Sequence, residues 1–226
     1  MKNILAFTLV VTVLCAQAQE SQTRSIGPFT GVKAEEGIDV FLKKGTKESV
    51  RVEVTGTSLE NVITEVSGSY LKVHMRSGDY QGNVNAKVYV TYVKINKVSA
   101  SSGGSVFSEG SIDTESLELS TSSAGNVDLT IKAGTVEVSA SSAGEVELSG
   151  TADLIIAEAS SAGEIDAYDL ASKRVKAEAA SAGSIKVSVT EELDAHAGSG
   201  ANIRYRGNPN KSITNSSSGG SVKKSN

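Results

Sequence analysis

This chain has little of what a thick globular core or a reactive centre is made from. It has no tryptophan, aromatic residues make up 4% of its 226 positions, and it holds one cysteine and two histidines. Cys15, at the end of the apolar run from Ile4 to Leu14, falls inside what reads as a secretory signal over residues 1–18. That segment has Lys2 as its positive start and Ala16-Gln17-Ala18 as a small-residue cleavage site before Gln19. A mature chain beginning at Gln19 would hold no thiol, which excludes disulfides and thiolate metal centres. Lipid attachment at Cys15 is the weaker reading, because Leu14 stands where such signals place a small residue. No later apolar stretch approaches 18 residues, so the sequence predicts no membrane-spanning helix. Basic residues are nearly missing from 109–169, where Lys132 alone faces thirteen Asp or Glu, and this excludes nucleic acid as a ligand of the middle of the chain.

What the chain has in abundance is one phrase, Ser-Ser-Ala-Gly-polar-aliphatic, in seven variants. The closing aliphatics are Val106, Val127, Val146, Ile165, Ile185, Ile203 and Val222, spaced by 21, 19, 19, 20, 18 and 19 residues. Helical-pair repeats need more than about thirty residues, whereas roughly twenty suffice for one coil of a β-solenoid. The second position is Ser throughout: Ser102, Ser123, Ser142, Ser161, Ser181, Ser199 and Ser218. The fourth is Gly104, Gly125, Gly144, Gly163, Gly183, then Ala201, then Gly220, which marks a corner with positive φ or a close neighbouring coil. Because the third position is only Ala or Gly, the corner is expected to accommodate nothing larger than a methyl. The serines read as structural, with hydroxyls bonded to corner amides or to one another. Seven equivalent serines cannot be seven nucleophiles in a chain with only His74 and His196 to serve as bases.

On either side of each corner the sequence alternates with period two, as in Val127-Asp128-Leu129 and Val136-Glu137-Val138. Two strands per coil are expected, with Gly134 and Gly150 in the turns between them. Parallel stacking at about 4.8 Å then gives seven coils a length of roughly 30 to 35 Å. The predicted organisation is a signal peptide over 1–18, a flexible segment over 19–27 and a single domain over 28–226. Within that domain, 28–98 forms irregular capping coils and 99–226 the regular ones. His74 and His196 read as surface or packing residues. Tyr80, Tyr89, Tyr92 and Tyr205 are scattered rather than arranged as a sugar-stacking platform.

Charge is segregated: nine basic residues face four acids from 170 onward, and eleven face nine over 20–108. Aligning the repeats stacks Asp128, Glu147 and Asp166, with Asn126, Glu145 and Glu164 beside them. Glu145, Glu147, Glu164 and Asp166 are candidate ligands for Ca²⁺, since clustered carboxylate oxygens suit that ion. Solvated surface charge accounts for the same pattern. No other cofactor and no catalytic residue is predicted.

These features resemble the putative auto-transporter adhesin, head GIN domain family of secreted bacterial proteins. The residues that carry the likeness are Phe29-Thr30-Gly31-Val32, Gly37-Ile38-Asp39-Val40 with Asp39 where the family name implies Asn, Lys44-Gly45, the Val50 to Val54 strand, and the Ser-Gly-rich coils. The resemblance implies a right-handed parallel β-helix at the cell surface or in the envelope, and it brings no catalytic residues. The expected function is therefore a non-catalytic exported adhesin or interaction scaffold with an unidentified glycan or protein ligand. The alternatives are a polysaccharide lyase or hydrolase-like enzyme, and a structural component that self-associates through the solenoid ends.

Overall fold

A computed structural model describes residues 20–78 and 83–225. The signal segment, Cys15, Gln19 and Tyr80 lie outside the described residues. The N-terminal part contains β1 (Glu20–Arg24), β2 (Gly31–Ala34), β3 (Asp39–Lys44), β4 (Ser49–Thr55), a 3-10 turn (Leu59–Asn61), β5 (Val62–Ser67), β6 (Tyr70–Met75), β7 (Asn85–Tyr92) and β8 (Lys97–Ala100). Five long strands follow: β9 (Ser105–Thr121), β10 (Asn126–Ala140), β11 (Glu145–Ala159), β12 (Glu164–Ala179) and β13 (Ser184–Ala197). The chain then closes with β14 (Asn202–Arg206), β15 (Lys211–Ser216) and β16 (Ser221–Lys224).

The seven phrases form seven parallel coils in register. Val106, Val127, Val146, Ile165, Ile185, Ile203 and Val222 are successive partners along one inward column, and the first six have no exposed surface. From β9 to β13 the two alternating runs of a coil are one continuous strand rather than two. Gly150 bends that strand without breaking its ladder: it holds φ +109°, and a Cβ there would lie 2.0 Å from the Ile131 carbonyl oxygen. The core is a narrow stack of Val, Ile, Leu and Ala, so each coil is stabilised mainly by its two neighbours.

The corner owes its sequence to two different constraints. The second-position serines sit at φ 48–52°, and the third-position residues are left-handed too, from Ala143 at 58° to Gly219 at 79°. That position opens onto solvent at Gly200 and Gly219. Its restriction to Ala and Gly is therefore conformational, not the volume limit expected from sequence. At the fourth position the limit is space. A Cβ on Gly125 would lie 2.3 Å from the Ala100 carbonyl oxygen of the coil below, and one on Gly163 equally close to Ala140. The serine contribution is likewise different from the one expected. The serine carbonyls accept the third-position N–H of the preceding coil, as in Ala124 N–H to Ser142 O (3.1 Å) and Ala143 N–H to Ser161 O (3.2 Å). Their hydroxyls are exposed and make no hydrogen bond among the described residues.

The N-terminal coils do not follow chain order. The β2–β3 coil lies between the β6–β7 coil on one side and the β8–β9 coil on the other. β4 runs antiparallel to β7, and β5 antiparallel to β6, so the parallel stack ends in antiparallel returns. Residues 20–24, expected as part of a flexible segment, instead form β1 on the outer edge of β4. This strand is polar on both faces and so carries no alternation to read in sequence. Backbone pairing holds it, together with Arg24, whose guanidinium donates to the Val62 and Leu59 carbonyls at 2.6 and 2.7 Å.

Candidate functional site

The outward positions of the long sheet fall into columns, and one column runs through eleven strands. In spatial order it reads Thr23, Arg51, Tyr89, Phe41, Phe107, Asp128, Glu147, Asp166, Lys186, Arg204 and Lys223. These side chains point out because their neighbours, such as Val40 and Leu42 or Val127 and Leu129, are buried on the opposite phase of the pleat. The face is striped along the rod: three aromatics, then three acids, then three bases.

In the aromatic stripe, Phe41 stacks on Tyr89 at 5.2 Å between ring centroids and on Phe107 at 5.3 Å, with planes tilted by 20° and 23°. Arg51 closes the far face of Tyr89 with its guanidinium carbon 4.0 Å from the ring centroid, while pairing with Glu53. Asp39 and Lys87 lie beside the stack on one flank, and the Lys43–Glu109 pair (3.9 Å) on the other. All three rings are half-buried. Tyr89, in sequence one of four scattered tyrosines, is one wall of this three-ring stack. The available signal was the aromatic that follows the inward valine in Val40-Phe41, Val88-Tyr89 and Val106-Phe107. It was hidden because the strands order as β7-β3-β9 in space. Tyr92 is buried and Tyr205 packs against the core, so neither is available as a platform.

In the acidic stripe, the register places Glu145 beside Glu164 and Glu147 beside Asp166, as the aligned repeats predict. The next coil then supplies a cation from the protein itself. Lys186 Nζ donates to Glu164 at 2.8 Å and to Asp166 at 3.0 Å. The two hydrogen bonds raise its proton affinity above that of an ordinary lysine. Two of the four carboxylates considered for Ca²⁺ are thus already bridged by a lysine, and Glu145 and Glu147 remain exposed on β11. Among the described residues no group of three or more His, Cys, Asp or Glu side chains converges to hold a metal ion. Asp128, Glu147, Arg204 and Lys223 form no ion pair among the described residues.

Tyr168 borders the basic stripe. It sits in an irregularity of β12, where the register skips between Ala167 and Ala171. Its hydroxyl meets Ser225 Oγ at 2.7 Å, and Arg206 lies over its ring at 3.9 Å. At the C-terminal ends of β11, β12 and β13, a shallow groove floored by Ala159, Ala179 and Ala197 is edged by Glu158, Glu178 and His196. His196 Nε2 is 2.8 Å from Asp194 Oδ1, and His74 Nδ1 is 2.9 Å from the Met75 carbonyl oxygen. No helix among the described residues is long and apolar enough to cross a membrane.

Several solved structures share the fold. A putative adhesin from Bacteroides fragilis superimposes with a TM-score of 0.85 at 21% identity, covering 93% of this chain and 98% of its own. A putative lipid binding protein from Parabacteroides distasonis gives 0.71 at 20% identity, with 92% and 97% covered. A putative adhesin from Parabacteroides merdae gives 0.71 at 19%, with 92% and 96% covered. At such identities the likeness is one of fold. No curated protein matches the chain. The family model described as putative auto-transporter adhesin, head GIN domain matches residues 28–209, four-fifths of the sequence, and the chain belongs to that family.

Proposed function

We propose that this protein is a non-catalytic, exported adhesin that binds a surface ligand, a glycan or a protein, through the striped outer face of its long sheet. The observation that carries the reading is the column itself. Aromatic, acidic and basic groups are held in fixed register by a continuous ladder of paired strands, which is the preorganisation that recognition needs. The aromatic stack with its charged flanks is the part suited to a specific contact, since partly exposed aromatics and Arg dominate interface energetics.

The enzymatic alternative is less well supported. A glycoside hydrolase needs a carboxylic acid whose proton affinity is raised by its surroundings. Among the described residues, Glu35 and Asp153 are both shifted the other way. Burial pushes Glu35 up, but the hydrogen bond and charge of Lys33 outweigh it, and Asp153 is lowered by its hydrogen bond to Lys173.

The test is a glycan and matrix-protein array probed with the chain from Gln19 onward, with and without calcium. A triple variant, Phe41→Thr, Tyr89→Thr and Phe107→Thr, keeps β-forming residues in place while removing the rings. Saturable binding that falls at least tenfold in the variant is expected. Binding that survives removal of all three rings would place recognition elsewhere, and an empty array from folded protein would end the adhesin reading. Retention only in the presence of calcium would give Glu145, Glu147, Glu164 and Asp166 a part in it.

A further inference from the structure

We infer that the charged half of the same column is a self-recognition surface, docking a second copy of this chain face to face about a two-fold axis that passes between β12 and β13. The inference rests on the reading of this face as a recognition surface and names a different partner for a different stretch of it.

The argument is one of sequence order along the rod. From β10 to β16 the column reads Asp128, Glu147, Asp166, Lys186, Arg204, Lys223, one residue per coil. Inverting the rod about an axis that lies in the face, along the strands, keeps each column on itself and reverses its order. Asp166 then meets Lys186 of the second copy, Glu147 meets Arg204, and Asp128 meets Lys223, each contact occurring twice. A closed two-fold dimer requires such a self-complementary patch. The adjoining column on the corner side offers no like-charge conflict, because Glu164 falls against Ser184, Glu145 against Asn202 and Asn126 against Ser221.

The register is selective as well as favourable. Sliding one copy by a coil in one direction sets Asp166 against its own symmetry mate, and in the other direction sets Lys186 against its own. Within the single chain the seam at the centre is satisfied by Lys186, Glu164 and Asp166. The outlying Asp128, Glu147, Arg204 and Lys223 have no such ionic partner among the described residues, and they are the groups the second copy supplies with one.

The size of the patch sets the strength. Six coils span about 24 Å at the strand spacing, and three outward columns are roughly 15 to 20 Å wide. This gives about 400 to 500 Å² per copy, near half of what a stable dimer buries on each side. The association is therefore weak and salt-sensitive, since contacts between exposed charges are screened within about 3 Å at molar salt.

Sedimentation equilibrium of the chain from Gln19 onward, at about 20 mM and then about 500 mM salt, reads this directly, with circular dichroism confirming that each variant is folded. A monomer–dimer equilibrium is expected at low salt, weakened at least tenfold at high salt. Glu147→Arg alone, or Arg204→Glu alone, sets like charges together and abolishes the dimer. The exchange variant carrying both recreates the pair in reverse and restores it. A monomer at low salt, failure of the exchange to rescue, or association indifferent to either single reversal overturns the proposal. The last result would point to pairing through the open coil ends, where Ile213 is 44% exposed. Sedimentation reads the dimer with no array ligand present, so a missing dimer and an empty array are separate results.

Discussion

Adjacent corner residues answer to opposite constraints. Ala143 holds φ 58° with its methyl exposed, and Gly144 has ordinary backbone angles but a Cβ position 2.8 Å from the Thr121 carbonyl carbon. A left-handed L-residue costs roughly 1–2 kcal/mol, more than the roughly 0.5–1 kcal/mol of chain entropy that glycine adds to the unfolded state. Ala143→Gly is therefore expected to raise stability by up to about 1 kcal/mol. Gly144→Ala is expected to lower it by about 1–3 kcal/mol through overpacking, with both read from urea unfolding midpoints. Ala201, the one alanine in the glycine column, shows that a coil can shift enough to fit a methyl there. Lys186 gives a second prediction. Its hydrogen bonds to Glu164 and Asp166 raise its affinity for a proton on folding, so its stabilising effect is complete below the unfolded lysine value near 10.4. It is lost as pH climbs through the higher folded value. Against Lys186→Met the native chain should keep a constant advantage of about 1 kcal/mol or less from pH 7 to 10. That advantage should disappear in more alkaline urea titrations.

At the scale of elements, Tyr168 ties coils that are not sequence neighbours. The skip in β12 pushes it out over the sheet, where it meets Arg206 of β14 and, just past β16, Ser225. The coil it restrains needs restraint, since every residue of β15 is exposed. Tyr168→Phe keeps the ring under Arg206 and loses the hydroxyl contact, for about 0.5–1.5 kcal/mol. Tyr168→Ala loses both. Hydrogen exchange should then quicken in β14 and β16 while β10 and β11 are unaffected. The opposite end of the molecule is closed by elements whose meaning was not local. β1 has no hydrophobic alternation because neither of its faces is buried, so it reads as linker until β4 offers an edge to pair with. The aromatic stack escapes notice for a related reason: Tyr89 on β7 and Phe107 on β9 lie 48 and 66 residues from Phe41, and only the non-sequential stacking joins them.

For the molecule as a whole, stability is a sum over coil–coil contacts, and it is uneven along the rod. Ile165 sits mid-stack with no exposure and neighbours on both sides, whereas Val222 closes the column half-exposed. Ile165→Ala is expected to cost about 2–5 kcal/mol, and Val222→Ala under about 1 kcal/mol, in thermal or urea unfolding. Equal costs would mean that the terminal coil is as well covered as the central ones. The sequence by itself determined the repeat, its register, the inward column and the segregation of charge. Each of these follows from a period of about twenty residues and from a strand period of two, and both are local properties of the chain. Only the tertiary structure decided that the β2–β3 coil lies between its successors, that Lys186 bridges two acids of the preceding coil, and that aromatic, acidic and basic groups share one column. Those facts depend on which coil lies against which and on how far a side chain reaches across a gap of about 4.8 Å, and no periodicity in a single chain records either.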